Sequence, residues 1–588
     1  MCDSIHKDLA RAKALIDENK YNQALQMIND LENNEDLTVH DPILSKLLKS
    51  TILNRLAQYQ DAFTLAEEVY QETERLGYDL QSLDASIEMA ESLMYLGRLD
   101  KALEMVTNNE GRLKIITQVS SKELAHREAS IAFIKGLVYA EQNNLDKGIK
   151  YTEQSLLLRR KLGNQLEIAR SLTQMGFILF LDGEYDLMLK YLEESLKLED
   201  GIFNRNILVT FTCFGHINVK RGNIDRALEY YKQSYNLAKE MNANDIMAWN
   251  LLSFGIICRN QGNLDNALEY LKRSLVLYDE IGHNFMISAV LDELLVLYLG
   301  MNSFEQANYY LDRLKQLTDR DNNKFIKNVY LINKAGVLKS SLRARDRVKA
   351  EEILKQVLGE EGIDHETNIG ALLHICDLLL IELRSSNDLE VLDEIQPYIN
   401  QLLDNAEHQS SYKLLAETYL LQAKLSLITL DIKKARRFLT QAQQIAERFG
   451  LSRLTTMISN EHNKLLKQSN LWEKLKESNA PLTERMELAQ ISEQMDQMMR
   501  NRSALTTKIT EESVSIHKER KICIVCKGEI TGFMFVCSCD TIYCEHCAKA
   551  LANLENVCWA CDAPMDKTKP VKHYEEEEIS DVTQKKLK

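Results

Sequence analysis

Read from Gly222, the chain runs GNIDRALEYYKQSYNLAKEMN; read from Gly262, it runs GNLDNALEYLKRSLVLYDEIG. The two align from end to end at an offset of 40. Weaker copies start at Gly97, Asn143, Gly183 and Asn302. A residue two places after the acidic one marks each copy. It falls at Ala24, Ala62, Ala102, Gly148, Met188, Ala227, Ala267 and Ala307, with fainter matches at Ala350, Leu392 and Ala435. Successive spacings are 38, 40, 46, 40, 39, 40, 40, 43, 42 and 43 residues. A period held this long restricts the chain to a stacked array in which each unit leans on its neighbours.

Each unit reads as two helices. Segments before the marker, such as DIMAWNLLSFGIICRNQG, space their apolar residues at helical intervals. Asn223 and Asn263 suit N-caps, and Asp225 and Asp265 fall in the first turn, where the helix dipole favours negative charge. Gly163 and Gly282 suit helix stops. Gly176, Gly215 and Gly255 recur in the first helix, where a missing side chain lets the partner helix come close. One such pair cannot bury its apolar face alone, and stacking builds a continuous core. Proline agrees: only Pro42, Pro397 and Pro481 precede residue 520, so little interrupts the helices. Cys213, Cys258 and Cys376 stand alone in apolar stretches and read as small buried hydrophobes.

The first-helix glycine, the G-N-x-D turn and the alanine two residues later resemble the tetratricopeptide repeat (TPR) family, in its long-repeat adaptor form. The resemblance implies a mainly α fold, an α-solenoid of about eleven helix pairs over residues 4–450. It further implies a superhelix whose concave face, lined by first helices, grips a protein or peptide partner. Counted from the recurrent glycines, that face would hold Arg170, His216, Trp249, Arg259 and Asn260, with Glu91 and Tyr95 earlier.

Residues 451–503 read as capping or bridging helices, broken at Asn479–Pro481. Within them Leu488, Ile491, Met495 and Met498 recur at 3-4-3 spacing on one helix. Two heptads are too few for a coiled coil, so this stripe reads as a face against the solenoid. The oligomeric state stays open. Residues 504–520 are Ser/Thr-rich and charged, as a linker is, and 568–588 form a charged tail without pattern.

Between them, residues 521–567 hold eight of the twelve cysteines: Cys523, Cys526, Cys537, Cys539, Cys544, Cys547, Cys558 and Cys561. Two thiolates two residues apart in a tight turn can reach one tetrahedral ion, and four close its shell. Eight therefore suit two structural Zn2+ per chain with no open position for a water. His546, between Cys544 and Cys547, reads as a solvent-facing spacer. Two pairings fit the spacing. A sequential one gives Cys523, Cys526, Cys537 and Cys539 the first zinc; a cross-brace pairs Cys523 and Cys526 with Cys544 and Cys547.

The run resembles the RING finger in an all-cysteine form, a small zinc-binding α+β module, and the resemblance implies the cross-brace. It also implies a ubiquitin-conjugating enzyme as partner, touched by Ile524, Leu551 and Trp559, with FMFVCS as a strand and AKALANLEN as the central helix. Two positions depart from the family: Trp559 stands where proline is usual, and Asp562 stands where active ligases carry Arg or Lys.

Other classes are disfavoured. A net charge of −15 opposes general nucleic-acid binding, which needs a basic surface. No stretch reaches 18 consecutive apolar residues, and the first twenty lack the apolar segment of a signal peptide. A cytoplasmic protein without membrane contact is expected. No phosphate-binding, dinucleotide, nucleophile-elbow or H-E-x-x-H motif occurs. The reading that follows is a protein-binding adaptor without catalytic residues. The alternative is a RING-type ubiquitin ligase with the repeats as substrate receptor.

Overall fold

The computed structural model describes residues 2–18, 20–32, 40–116, 119–142, 144–182, 184–199, 204–220, 223–321, 323–341, 343–360, 365–408, 411–449, 451–478 and 480–500, with 533–538, 541–545, 548, 557–558, 563–564 and 571–572 near the C-terminus. Among them are 26 helices and three short strands. The first 22 helices alternate as eleven pairs, from Cys2–Asp17 with Tyr21–Glu32 to Tyr412–Ile428 with Ile432–Arg448. The fold is mainly α, a TPR-like solenoid. Tertiary contacts divide the chain into two compact units, Met1–Asn368 and Ile369–Lys588. The division falls inside the helix His365–Ser386.

In the first unit the repeat is written into side-chain columns. The marker residues Ala24, Ala62, Ala102, Met188, Ala227, Ala267, Ala307 and Ala350 are fully buried in second helices. Each recurrent glycine faces a large side chain of its pair. A Cβ on Gly176 would lie 2.5 Å from Leu192, one on Gly215 2.3 Å from Tyr231, and one on Gly255 2.7 Å from Leu271. No real Cβ tolerates such distances, so glycine is what lets the two helices meet. A second column went unnoticed in the sequence. Ser155, Ser195, Ser234 and Ser274 are buried and donate to the carbonyls of Ala129, Ala169, Leu208 and Ala248, each 26 residues earlier. They tie each second helix to its first through a satisfied buried hydroxyl.

Gly163 and Gly282 end second helices in the left-handed conformation, at φ of 80° and 77°. Asn263 caps the helix Leu264–Ile281 through its side chain, bonding the Asn266 amide. Asn223 holds the equivalent place without a side-chain bond.

In the second unit the tenth marker, Leu392, is only half-buried. Its helix starts at Val391, so Val391, Ile395 and Ile399 carry the buried face instead. The helix expected across 482–502 is two, Leu482–Ala489 and Ile491–Arg500, because Gln490 adopts φ 53°. Ile491, Met495 and Met498 are fully buried, and both short helices lie against Tyr412–Ile428. Gln494 donates to Glu417 at 2.6 Å and Lys424 to the Ala489 carbonyl at 2.8 Å. The apolar stripe is therefore spent inside the unit. Cys213 and Cys376 are fully buried, and Cys258 is half-buried.

Near the C-terminus, β1 (Phe533–Val536) pairs antiparallel with β2 (Ile542–Cys544) and β3 (Val571–Lys572), in the order β2-β1-β3. Among the described residues no helix is long and apolar enough to cross a membrane.

Candidate functional site

In the first helices that carry the recurrent glycine, its side of the helix packs on the paired helix, and polar and aromatic residues on the remaining surface are called the inner ones. Between Met1 and Asn368 these inward residues meet one another across several repeats. Three groups form.

The first is ionic. Arg55, last in the helix His40–Arg55, donates to Glu91 at 2.5 Å and to Glu167 at 3.3 Å. Arg170, one turn after Glu167 in the helix Gln165–Asp182, grips both oxygens of Glu167 at 3.1 and 3.2 Å and reaches Glu91 at 2.6 Å. Arg159 meets Glu167 at 2.7 Å from the preceding helix. Arg159 and Arg170 both lie 4.5 Å from the centre of the Phe133 ring, a favourable cation–aromatic distance. Glu88, half-buried beside them, accepts from Thr51 at 2.9 Å and Asn54 at 2.8 Å.

The charges set one another. Burial works to raise the Glu91 carboxyl, but Arg170 and then Arg55 override it and hold it below the ordinary carboxylate range. In Glu167 burial is opposed by Arg159, Arg170 and Arg55, and the group sits well below that range. Glu88 goes the other way: burial, then the neighbouring Glu91, push it up to about 7 against the pull of Arg55.

The second group surrounds Tyr59, at the start of the helix Tyr59–Leu76. Its hydroxyl receives a bond from Arg205 at 2.8 Å and lies 3.2 Å from Asp245. Arg205 also binds Asp245 at 2.6 Å and lies 4.4 Å from the centre of the Tyr95 ring, on which Tyr59 stacks at 4.8 Å. Asp245 is buried, and its Oδ1 receives no hydrogen bond from the described residues.

The third group is aromatic. Trp249 meets Phe177 edge-on at 5.5 Å, His216 at 5.4 Å and Phe180 at 6.3 Å, while His216 stacks on Phe180 at 4.6 Å. These four come from three consecutive first helices and are all half-buried. The His216 Nδ1 lies 2.9 Å from the Tyr231 hydroxyl.

The inner-face candidates thus divide. Arg170, Glu91 and Tyr95 join the two charged groups, and His216 and Trp249 the aromatic one. Arg259 is buried on Glu293 at 3.1 Å, and Asn260 ends its helix exposed, apart from the rest. Arg55, Tyr59, Glu167, Arg205 and Asp245 were missed. Their only trace was a charged or aromatic residue at a helix end, which most solvated helices also carry.

At the C-terminal strands, the Cys537 amide donates to the Thr541 carbonyl at 2.9 Å, and the Cys558 amide to the Ala563 carbonyl at 2.8 Å. A β-bridge joins Val557 to Pro564. The Tyr543 hydroxyl and the Cys558 sulfur lie 3.1 Å apart, both residues buried. Cys523, Cys526, Cys539, Cys547 and Cys561, with Ile524, His546, Leu551, Trp559 and Asp562, lie outside the described residues, as does nearly all of the expected central helix. Among the described residues no three metal-ligating side chains gather.

Residues 130–470 match the family described as the MalT-like TPR region. The chain belongs to that family. The MalT-like region takes in the aromatic group and the serine column. Among solved structures, a Rap protein complexed with competence and sporulation factor is 15% identical, with a TM-score of 0.46 over 64% of this chain and 99% of that one. The apo form of the quorum sensor NprR from B. thuringiensis is 14% identical, with a TM-score of 0.41 over 63% and 99%. Yeast Tom70 is 12% identical, with a TM-score of 0.33 over 81% and 99%. No curated protein matches the chain.

Proposed function

We propose that this chain is a cytoplasmic protein-binding scaffold. The inner face of its MalT-like TPR array takes a protein or peptide partner, and the cysteine-rich module makes a second protein contact. One observation carries the reading: first helices of successive repeats turn fixed charges and aromatic rings inward, where the helix-pair core does not need them. Such a mixture of few charges and broad rings is what holds a peptide in a groove.

The cysteine module fits two structural zinc ions. Tyr543 and Cys544 are consecutive in β2, so their side chains leave opposite faces of the hairpin. Cys558 lies against the Tyr543 hydroxyl, on the face away from Cys544. That placement supports the cross-brace over the sequential pairing. Cys537 alternates onto the Tyr543 face, as the cross-brace requires of a ligand shared with Cys558. Zinc there would supply only cohesion, replacing the core that so short a module lacks, and its thiolates suit a reducing compartment. Engagement of a ubiquitin-conjugating enzyme through Ile524, Leu551 and Trp559 is the finer alternative, and Asp562 opposes it.

Metal analysis of the full chain should return two zincs, and a value near zero with intact helical circular dichroism rejects the module. Panning a random peptide display library on the full chain should select binders that Trp249→Ala loses; selection of none rejects the groove. Faster ubiquitin discharge from a charged conjugating enzyme would replace the adaptor reading with the ligase.

A further inference from the structure

We infer that the helix Ile432–Arg448 is a dock for the chain's own cysteine-rich module, and that zinc makes the contact: the loaded module sits on the helix and the metal-free module is released. The inference rests on the two-zinc reading above for its metal dependence, and it says where that module is held.

Both parts belong to the unit Ile369–Lys588. The Gln444 amide nitrogen donates to the Thr541 hydroxyl at 3.2 Å, across 97 residues of chain. Thr541 lies in the turn between β1 and β2, and its carbonyl accepts the Cys537 amide. A hairpin turn ordinarily lies at the surface, yet Thr541 is 0% exposed. Gln444 is half-buried. On its helix it follows Lys433, Arg437 and Gln441, at successive spacings of 4, 4 and 3, and precedes Arg448 by 4. Such spacings put all five on one face.

The face and the module have opposite charge. The helix holds five basic residues, four of them in its first two turns, where the helix dipole disfavours positive charge. Its one acid, Glu447, accepts from Gln443, and Asp431 caps it by bonding the Lys434 amide. Within residues 521–567 six acidic side chains outnumber four basic ones, and Asp540 directly precedes Thr541. Four thiolates on one Zn2+ leave a net charge of about −2, so two sites add about −4 that eight neutral thiols lack. Metal therefore both folds the turn that meets Gln444 and deepens its attraction to the basic face. Docked, the module keeps one place on its unit.

The test uses the full chain with a photo-cross-linker, p-benzoylphenylalanine. It replaces Gln441, exposed one turn before Gln444, or, as a control, Glu394, exposed near the start of the helix Val391–His408. Mass spectrometry measures cross-links to residues 533–545. Their yield from position 441 should exceed that from position 394 about tenfold, because a held module is far more concentrated at its dock than a tethered one. A zinc chelator should bring it to the control level. Lys433→Glu with Arg448→Glu reverses two exposed charges. It should lower the yield about fivefold, with two zincs still bound and helical circular dichroism intact. Equal yields from the two positions, or a yield from position 441 that survives metal removal or the charge reversal, overturn the inference. If the double variant unfolds, Lys433→Glu alone is measured, and it must still lower the yield. Two zincs without a preferred cross-link overturn this inference and leave the zinc module standing. No zinc in the parent chain overturns both.

Discussion

Gly77 and Gly97 share a left-handed backbone, at φ of 72° and 69°, and differ in what an added methyl group would meet. A Cβ on Gly77 meets nothing within 4 Å. A Cβ on Gly97 would lie 2.9 Å from His283 Nδ1 and 3.1 Å from His283 Cα. Gly77→Ala should therefore cost only the conformational term, about 1–2 kcal/mol, partly offset by the stiffer unfolded chain. Gly97→Ala carries that term and an overpacking cost of about 1–3 kcal/mol, because the Cα of His283 cannot rotate away. The extra cost falls on His283, which holds the N-cap position of the helix Asn284–Gly300 in a distant repeat. Native-state hydrogen exchange of that helix reads it directly. An excess of about 1–3 kcal/mol corresponds to exchange about 5- to 150-fold faster in Gly97→Ala than in Gly77→Ala, while the repeats nearest both substitutions respond alike. Equal exchange at Asn284–Gly300 in the two variants would refute the close approach and, with it, the long-range closure of the inner face.

Arg170→Ala removes the fork that serves Glu91 and Glu167, and breaking a buried pair this way should cost about 3–5 kcal/mol in urea unfolding. Arg170→Lys should recover little, since an ammonium cannot take both Glu167 oxygens and Glu91 at once. Gly215→Ala should lower the unfolding midpoint by an overpacking cost of about 1–3 kcal/mol, as its Cβ would meet the Tyr231 ring at 2.3 Å. Stability should also depend on pH in two opposed windows. Glu88, raised from 4.5 to about 7, keeps a proton in the folded chain that the unfolded chain has lost, so its share of stability falls as pH rises through about 7. Glu88→Gln should flatten that decline. In His283 burial works to lower the pKa and Glu141 at 3.5 Å outweighs it; the raised value adds stability below the ordinary histidine range that is lost as pH rises through the folded pKa. Glu91 and Glu167, both lowered, act with the opposite sign: their stability is present above the ordinary carboxylate range and lost on acidification through their folded values.

The repeat was legible because its causes are local. Gly176, Gly215 and Gly255 recur since each faces a partner 16 residues on, and the marker alanines since each is fully buried in its second helix. Asn263, Gly163 and Gly282 obey turn and cap chemistry that spans a few residues. The serine column lay in the same register and could have been read with it. The cysteine spacing predicted a two-metal module, and five of its eight cysteines lie outside the described residues. Gln490 carried no glycine or proline to announce its turn, and only burial of Met486 and Ile491 against Tyr412–Ile428 decided it. The inner face is the larger case. Local spacing determines how one helix pair is built and how it meets the next. It does not determine that Arg55 meets Glu167 or that Tyr59 meets Asp245, 112 and 186 residues away. That register comes from the small rotation each pair imposes on its neighbour, summed over several repeats. A sum of small angles is a property of the folded array, so the repeats were determined by the sequence and their closure on one another by the tertiary structure.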